Sequence, residues 1–299
     1  MSELKTILVT GASGLVGRPL CAALEAQGYA VRRLSRGEDA EFQWDVEAGH
    51  LDAAAVRGVT AIIHLAGETV AQRWSDEAKT RILSSRVDST QMLADAILQT
   101  EERPIFISAS GISYYGVESE ELVTESSETG DGFLAEVTRQ WEGASQTLMN
   151  SGCRVVWMRT GIVLSRQGGA LAKMLTPFKM GVGGRIGGGR QKMSWVSLPD
   201  LVNMYLFALE TPSIFGALNA VAPQPVSNLE FTKTLGFVIG RPTIFPLPSI
   251  VVKTLFGEMG NETVLSDLGV MPKQLEAVGY EWVQPELEGA LRETIYGDN

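Results

Sequence analysis

The chain of 299 residues is 44% apolar and 20% charged with a net charge of −10, an ordinary globular composition long enough to bury a large core beside a smaller unit. No run of Lys or Arg can track a phosphate backbone, so nucleic acid and an anionic membrane are poor partner expectations, and no apolar run reaches membrane-spanning length. The first strand starts too close to Met1 for a signal peptide, and Cys21 and Cys153 stand far apart, so a cytoplasmic protein with free, mostly buried thiols is expected.

In chain order, residues 7–9 are apolar throughout, as a central parallel strand covered on both faces requires. They run into Thr10-Gly11-Ala12-Ser13-Gly14-Leu15-Val16-Gly17 and a helix to about residue 26 with an apolar stripe of Val16, Leu20 and Leu24. Gly11 permits a sharp turn, Gly14 the close approach of a pyrophosphate, and Gly17 the packing of helix on sheet. Free N–H groups at the helix start, with its positive dipole end, suit phosphate. A G-x-x-G-x-x-G alone is weak; between a strand and a helix it reads as a dinucleotide-binding fingerprint.

A second strand, 30–34, ends at Ser35-Arg36. An acidic residue at this point would bind the ribose 2′-OH of NAD, whereas a guanidinium beside a hydroxyl suits the 2′-phosphate of NADP. NADP is therefore the expected cofactor, an exposed surface charge being the plain alternative for Arg36. Glu38 and Asp39 come too late for the strand end and read as a solvated loop. Strand 41–44 ends at Asp45, which either accepts from the adenine amino group, with Val46 flanking the ring, or starts a turn. A brief helix over 51–56 is expected to stop at Gly58, and strand 60–65 leads to Leu65-Ala66-Gly67-Glu68, small enough for backbone to lie against a cofactor. His64 reads as a strand-end histidine rather than a catalyst, and with no Cys/His cluster no metal site is expected.

Ser75 or Asp76 can cap a long helix to about residue 99. Strand 104–108 then opens into Ser108-Ala109-Ser110-Gly111-Ile112-Ser113-Tyr114-Tyr115-Gly116. These hydroxyls lie at the carboxyl edge where ligands sit, and a turn without chemistry is the alternative. An acidic loop (116–132), a helix (134–150) and a sixth strand (154–158) complete the alternation, which predicts an α/β fold: a doubly wound parallel sheet of the Rossmann kind.

The second half is less regular. Residues 168–189 are glycine-rich around an apolar segment, 171–180, and 183–190 lacks the order of a phosphate loop, reading instead as a mobile substrate-side loop. Helices are expected over 201–210 and from Asn228 to about 239; Pro242, Pro246 and Pro248 then punctuate a linker before short helices at 249–256, 262–268 and 285–295. This divides the chain into a nucleotide-binding domain over 1–240, with substrate-side insertions at about 165–200, and a small, mostly helical domain over 241–299 that should pack on the substrate side.

With Thr10–Gly17, Ser35-Arg36, Leu65–Glu68, Trp74…Ser85-Arg86…Thr90, Gly111…Tyr114-Tyr115, Trp141-Glu142, Arg159-Thr160-Gly161-Ile162-Val163-Leu164, Ser194-Trp195-Val196…Asp200 and Gly279-Tyr280…Pro285-Glu286-Leu287, the chain resembles the extended branch of the short-chain dehydrogenase/reductases. Within it, the chain is most similar to the NADP-binding epimerase-family proteins named after nucleotide-sugar epimerases. The resemblance implies that Arg86 faces the cofactor, that Ile162 and Val163 lie near the nicotinamide, and that the segment from about Pro248 is the family's small appended domain. It also implies a Tyr-x-x-x-Lys pair at the start of the helix near Leu134, whose phenol exchanges a proton with substrate. Here the chain reads Phe133-Leu134-Ala135-Glu136-Val137-Thr138, and neither register keeps the pair. Two readings stay open: an NADP-dependent oxidoreductase or epimerase acting on a small carbonyl or sugar-like substrate with an unusual donor, or an NADP-binding sensor or interaction protein without turnover. Ser110, Tyr114 and Tyr115 are the donor candidates, with Arg159 nearby to lower a phenol's pKa; a homodimer stays open.

Overall fold

The computed structural model describes residues 5–37 and 40–297; Glu38 and Asp39, expected in a solvated loop, lie outside the described residues. In chain order the first half comprises β1 (Thr6–Thr10), α1 (Gly17–Ala26), β2 (Ala30–Ser35), β3 (Phe42–Asp45), β4 (His50–Leu51), β5 (Ala61–His64), α2 (Asp76–Leu98), β6 (Ile105–Gly111), α3 (Phe133–Gly143), α4 (Gln146–Asn150) and β7 (Val155–Thr160). The second half comprises β8 (Ile162–Leu164), α5 (Gly169–Lys179), β9 (Lys192–Met193), β10 (Trp195–Ser197), α6 (Leu198–Glu210), β11 (Gly216–Ala220), β12 (Val226–Ser227), α7 (Asn228–Ile239), α8 (Ser249–Glu262), α9 (Lys273–Ala277) and α10 (Leu287–Tyr296).

Eight strands form one sheet in the order β11-β7-β6-β5-β1-β2-β3-β4, parallel except for β4. The order reverses at β1, which pairs with β2 on one side and β5 on the other, and a Rossmann sheet opens its ligand crevice at such a switch point. Successive β1 side chains go to opposite faces: Ile7 and Val9 pack with Leu20, Leu24 and Tyr205 under α1 and α6, while Leu8 packs with Ile62, Leu93 and Phe106 under α2. Burial on both faces is why residues 7–9 of the strand are apolar throughout. The cap expected for α2 is present: Ser75 accepts from the Ala78 N–H, with Asp76 and Glu77 in the first turn.

Several expectations are corrected. No helix spans 51–56: β4 pairs antiparallel with β3, in a hairpin that Gly49 turns at φ +66°, and Asp52 then accepts from the Ala54 N–H to start another turn. The helix expected over 134–150 breaks at 144–145 into α3 and α4. The helix expected at 249–256 continues to Glu262 across a kink at Gly257 (φ 58°, ψ −138°), and in place of a helix over 262–268, Asp267 bridges Glu118 in the acidic loop. The edge strand β11 and helix α9 were not anticipated; β11 reads Gly-Ala-Leu-Asn-Ala, with no β-branched residue to signal a strand.

The C-terminal elements pack into the rest of the molecule. Leu275 and Tyr280 join the α1–α6 side of the main core, while Leu287, Ala290, Leu291 and Ile295 pack with Leu171, Phe231 and Leu235. The fully buried Asp200 carboxylate accepts from the Ser197 hydroxyl and from the Val283 and Gln284 N–H groups, tying this tail to the start of α6. Cys21 and Cys153 are buried and unbridged. Among the described residues, no helix is long and apolar enough to cross a membrane.

Candidate functional site

The carboxyl ends of β1, β5, β6 and β7 converge on a cavity of about 240 Å³ lined by Gly11, Gly14, Leu65, Ser110, Thr160 and Tyr205, among others. The glycines are there for steric reasons. Gly11 has φ +66°, and a Cβ on it would lie 2.9 Å from the Ala66 nitrogen; a Cβ on Gly17 would lie 2.2 Å from the Gly11 carbonyl oxygen. The first turn of α1 carries no acidic side chain, and no side chain caps it, so the positive end of its dipole is left uncompensated. Ala12 and Val16 pack on the main core, Ser13 is exposed with its carbonyl accepting from Arg18 Nε (2.8 Å), and Leu15 lies within reach of Gly168. This cradle fits a dinucleotide.

Ser35 and Arg36 are exposed at the end of β2, and Arg36 has no ion-pair partner among the described residues. Asp45 Oδ1 accepts from the Ala48 N–H at 3.0 Å, which starts a turn through one of its two carboxylate oxygens, and Val46 packs against the α2-side core. His64 is fully buried: Thr10 Oγ1 accepts from the Leu65 and Ala66 N–H groups and donates to His64 Nδ1 (2.7 Å), and Nε2 faces Ser89 Oγ (3.1 Å). Burial, with the charge of Arg86 nearby, pushes its pKa down to about 3, so the ring is neutral and braces two strand ends. The Glu68 carbonyl accepts from Arg86 Nη2 (2.9 Å), and the Arg86 guanidinium sits beside Gly67 and over the Trp141 ring at 5.1 Å. Burial, opposed by the charge of Glu68, lowers its pKa to about 10.

Beyond β6, polar side chains form a buried chain. Ser110 Oγ donates to Glu142 Oε1 (2.6 Å); Glu142 is gripped by Arg159 through Nε to Oε1 (2.9 Å) and Nη2 to Oε2 (2.7 Å); Arg159 Nη1 donates to the Tyr115 hydroxyl (2.9 Å), which donates to Asn219 Oδ1 (2.7 Å). Asn219 in turn donates to the Met271 carbonyl, so the chain runs from the cavity wall to the C-terminal segment. Burial works against the charge on Arg159, but the hydrogen bonds and charge of Glu142 outweigh it and hold the guanidinium above its ordinary value. Burial pushes the Tyr115 phenol up to about 12 despite that neighbour. The Tyr114 ring lies flat on the Arg159 guanidinium, 3.4 Å from ring centre to Cζ, and its hydroxyl is partnered by no described residue. Ser108 Oγ donates to the Ala109 carbonyl.

Leu134, Thr138 and Glu142 share one face of α3, turned to the end of β6, where Thr138 Oγ1 meets Ser113 Oγ (3.0 Å) and donates to the Leu134 carbonyl (2.6 Å). The α3 N-terminus is capped from outside: the Phe133 and Leu134 N–H groups donate to the two oxygens of Glu262 in α8, each at 2.8 Å. Ile162 and Val163 lie in β8, which pairs with β10; the Ile162 N–H donates to the Ser194 carbonyl, and a Cβ on Gly161 would come within 2.6 Å of that oxygen.

Sequence reasoning did not single out Asn219 or Glu262, quoted Glu142 only within a motif, and named Thr138 only as a position where the Tyr-x-x-x-Lys pair is missing. One signal was available: Glu142 is the one charged residue on the buried face of α3, and Arg159 ends the apolar run of β7. A lone carboxylate and a lone guanidinium on buried faces call for each other.

Residues 7–219 match the NAD dependent epimerase/dehydratase family, and residues 247–294 match a domain of unknown function. An epimerase family protein of Mycobacterium bovis is 39% identical over 95% of this chain and 96% of its own length. The human epimerase family protein SDR39U1 is 36% identical over 97% of this chain and 99% of its own. A crystal structure of the human protein with NADPH superposes with a TM-score of 0.89, covering 97% of this chain and 98% of that one. The Thermus thermophilus UDP-glucose 4-epimerase complex with NAD, at 20% identity and a TM-score of 0.74, covers 98% of each chain and shares the fold.

Proposed function

Because the chain belongs to the NAD dependent epimerase/dehydratase family, we propose that it binds NADP(H) and acts as an oxidoreductase or epimerase-like enzyme on a small carbonyl or sugar-like substrate, with Ser110 and Glu142 in place of the usual Tyr-x-x-x-Lys pair. The observation that carries this reading is the 2.6 Å hydrogen bond from Ser110, on the cavity wall beside Gly11 and Gly14, to a buried carboxylate. NADPH in the human relative supports the cofactor, as does Arg36 exposed at the end of β2.

The cradle from Gly11 to Gly17 holds the pyrophosphate, Ser35 and Arg36 the 2′-phosphate, Asp45 and Val46 the adenine side, and Leu65–Glu68 with Arg86 the middle of the cleft. Ile162, Val163, Ser108 and Arg159 flank the nicotinamide end. When bound, the nicotinamide gives or takes a hydride at a substrate carbon. Ser110 Oγ takes the proton from the substrate hydroxyl while passing its own to Glu142 Oε1; the reverse transfer delivers a proton to a carbonyl oxygen. Arg159 fixes the Glu142 carboxyl group through two hydrogen bonds, which leaves Oε1 aimed at Ser110. Tyr115 serves the relay by holding Arg159, its phenol already donated to Asn219, and Tyr114 offers its hydroxyl as a second contact for the substrate oxygen. Slow turnover is expected of a relay that lacks the family's usual activated phenol.

A second reading, an NADP(H)-binding protein without turnover, is favoured by Leu134 and Thr138 facing the end of β6 where the family's pair would act, with the Thr138 hydroxyl committed to its own helix. A carbonyl and sugar panel with NADPH and NADP separates the two. Activity lost in Ser110→Ala and reduced in Tyr114→Phe supports the relay; activity unchanged in Ser110→Ala refutes it. Tight NADPH binding with no turnover on any substrate moves the assignment to the second reading.

A further inference from the structure

The net charge of −10 conceals a strongly biased distribution. Residues 166–192 and 241–257 hold eight Lys and Arg, and all 35 acidic residues lie elsewhere in the chain. Folding lays these two segments side by side: Gly184 bridges Ile244, Ile186 bridges Leu247, the Leu247 N–H donates to the Arg185 carbonyl, and Arg241 Nε donates to the Lys179 carbonyl. Lys179, Arg185, Arg190, Arg241 and Lys253 are all exposed, and none pairs with a carboxylate among the described residues. On the same two segments stand exposed apolar side chains, Met180, Val182, Ile244, Phe245, Ile250 and Leu255, between 54% and 73% accessible. Neither signal is visible as a run in the sequence, because the cations are spaced singly and come together only through the pairing of distant segments.

We propose that this face docks the protein peripherally on an anionic lipid surface, with the apolar side chains entering the headgroup boundary and the cations meeting lipid phosphates. Apolar side chains among unpaired Lys and Arg are the combination that binds at such an interface. A second copy of the chain is a poor occupant, since a two-fold contact through this face sets its cations against themselves. A protein partner uses interleaved charges of both signs to fix register, whereas these two segments carry cations only, which a uniformly negative surface satisfies without register. Helix α5 starts beside Leu15 of the cofactor cradle, so docking would leave the substrate-side segments at the headgroups.

The test is co-sedimentation of the full chain with vesicles of phosphatidylglycerol and phosphatidylcholine, against phosphatidylcholine alone, at low and high salt. Binding is expected to the anionic vesicles only, and to fall as salt shortens the range of the attraction. A Lys179→Glu/Arg241→Glu/Lys253→Glu variant should bind on the order of 100-fold more weakly, at roughly five-fold per cation. An Ile244→Ser/Phe245→Ser/Ile250→Ser variant should also bind more weakly while keeping the wild-type melting temperature and NADPH affinity. Failure of the wild type to bind anionic vesicles at low salt overturns the proposal, as does equal binding to neutral vesicles. Binding to polyglutamate without binding to vesicles overturns it in favour of an acidic protein, and self-association abolished by the same substitutions overturns it in favour of a second copy.

Discussion

Replacing Glu142 by Gln tests whether the polar chain behind the cavity is an energetic unit. Glu142 and Arg159 have side chains only 7% and 4% exposed, and the carboxylate receives three charge-assisted hydrogen bonds, two from Arg159 and one from Ser110. A neutral amide leaves the buried guanidinium without its counter-charge, and turns one N–H donor toward another wherever the amide nitrogen falls. Breaking a buried pair by removing one partner costs about 3–5 kcal/mol, whereas replacing both partners with apolar groups of similar size is close to neutral. At about 2–4 °C per kcal/mol for a chain a little shorter than this one, Glu142→Gln should lower the melting temperature by on the order of 10 °C. A Glu142→Leu/Arg159→Met double variant should recover most of that loss. Urea unfolding of the wild type, Glu142→Leu, Arg159→Met and the double variant closes the cycle. A loss below about 1 kcal/mol for Glu142→Gln, the value of an exposed bridge, would refute the reasoning, as would a double variant no better than the single ones.

Burial holds His64 neutral with a pKa near 3, well below the unfolded value of 6.5, so the stability it contributes is fully present above pH 6.5 and is lost as pH falls toward 3. Between pH 6.5 and 5, before most carboxylates titrate, that slope amounts to about 2 kcal/mol; urea titrations at the two pH values should show it in the wild type and not in His64→Asn. Arg36→Ala should weaken NADPH binding roughly ten- to a hundred-fold and leave NADH nearly unchanged, and equal losses in calorimetric titrations of the two would remove Arg36 from the 2′-phosphate site. The fragment 248–299 should be unfolded when expressed alone, because the clusters that bury α9 and α10 are built mostly from residues of the first 240; a cooperative thermal transition in that fragment would contradict this.

The parts of the fold that could be read in advance are those in which a single element carries its own signal. The apolar run of β1, the glycine fingerprint and the Ser75 cap of α2 each report a local requirement, and each lies where it was expected. The failures have the opposite character. Residues 51–56 have a composition compatible with a helical turn, but Leu51 is claimed by the ladder with β3, and ladder pairing outweighs weak local propensity in so short a segment. In α8, Gly257 reads as a stop signal, yet the chain kinks there and stays helical, because the segment beyond it is held by Lys79 on Glu258 and by the α3 N–H groups on Glu262.

The site divides along the same line. Phosphate recognition is written locally, in glycines and a helix start, so it could be read from eleven consecutive residues. The buried polar chain on which the proposed relay rests is assembled from Ser110, Glu142, Arg159, Tyr115 and Asn219, which come from five different elements. Helical periodicity says that Glu142 faces inward, but not what it meets, and that leaves a buried carboxylate as a question rather than an answer. The same limit applies to Tyr115: at the level of sequence it and Tyr114 are equivalent phenols, and only the position of Asn219 on an unanticipated edge strand separates them. A phenol already donated to an amide oxygen and pushed up to about 12 must give up both that bond and its buried setting before it can release a proton. Ser110 gives up nothing comparable, since its hydrogen already points at the group that would take it. In the proposed relay Tyr115 is therefore the phenol that this fold ties down, and Ser110, facing the cavity, is the hydroxyl set to move the proton, with the unpartnered Tyr114 hydroxyl beside it as a substrate contact.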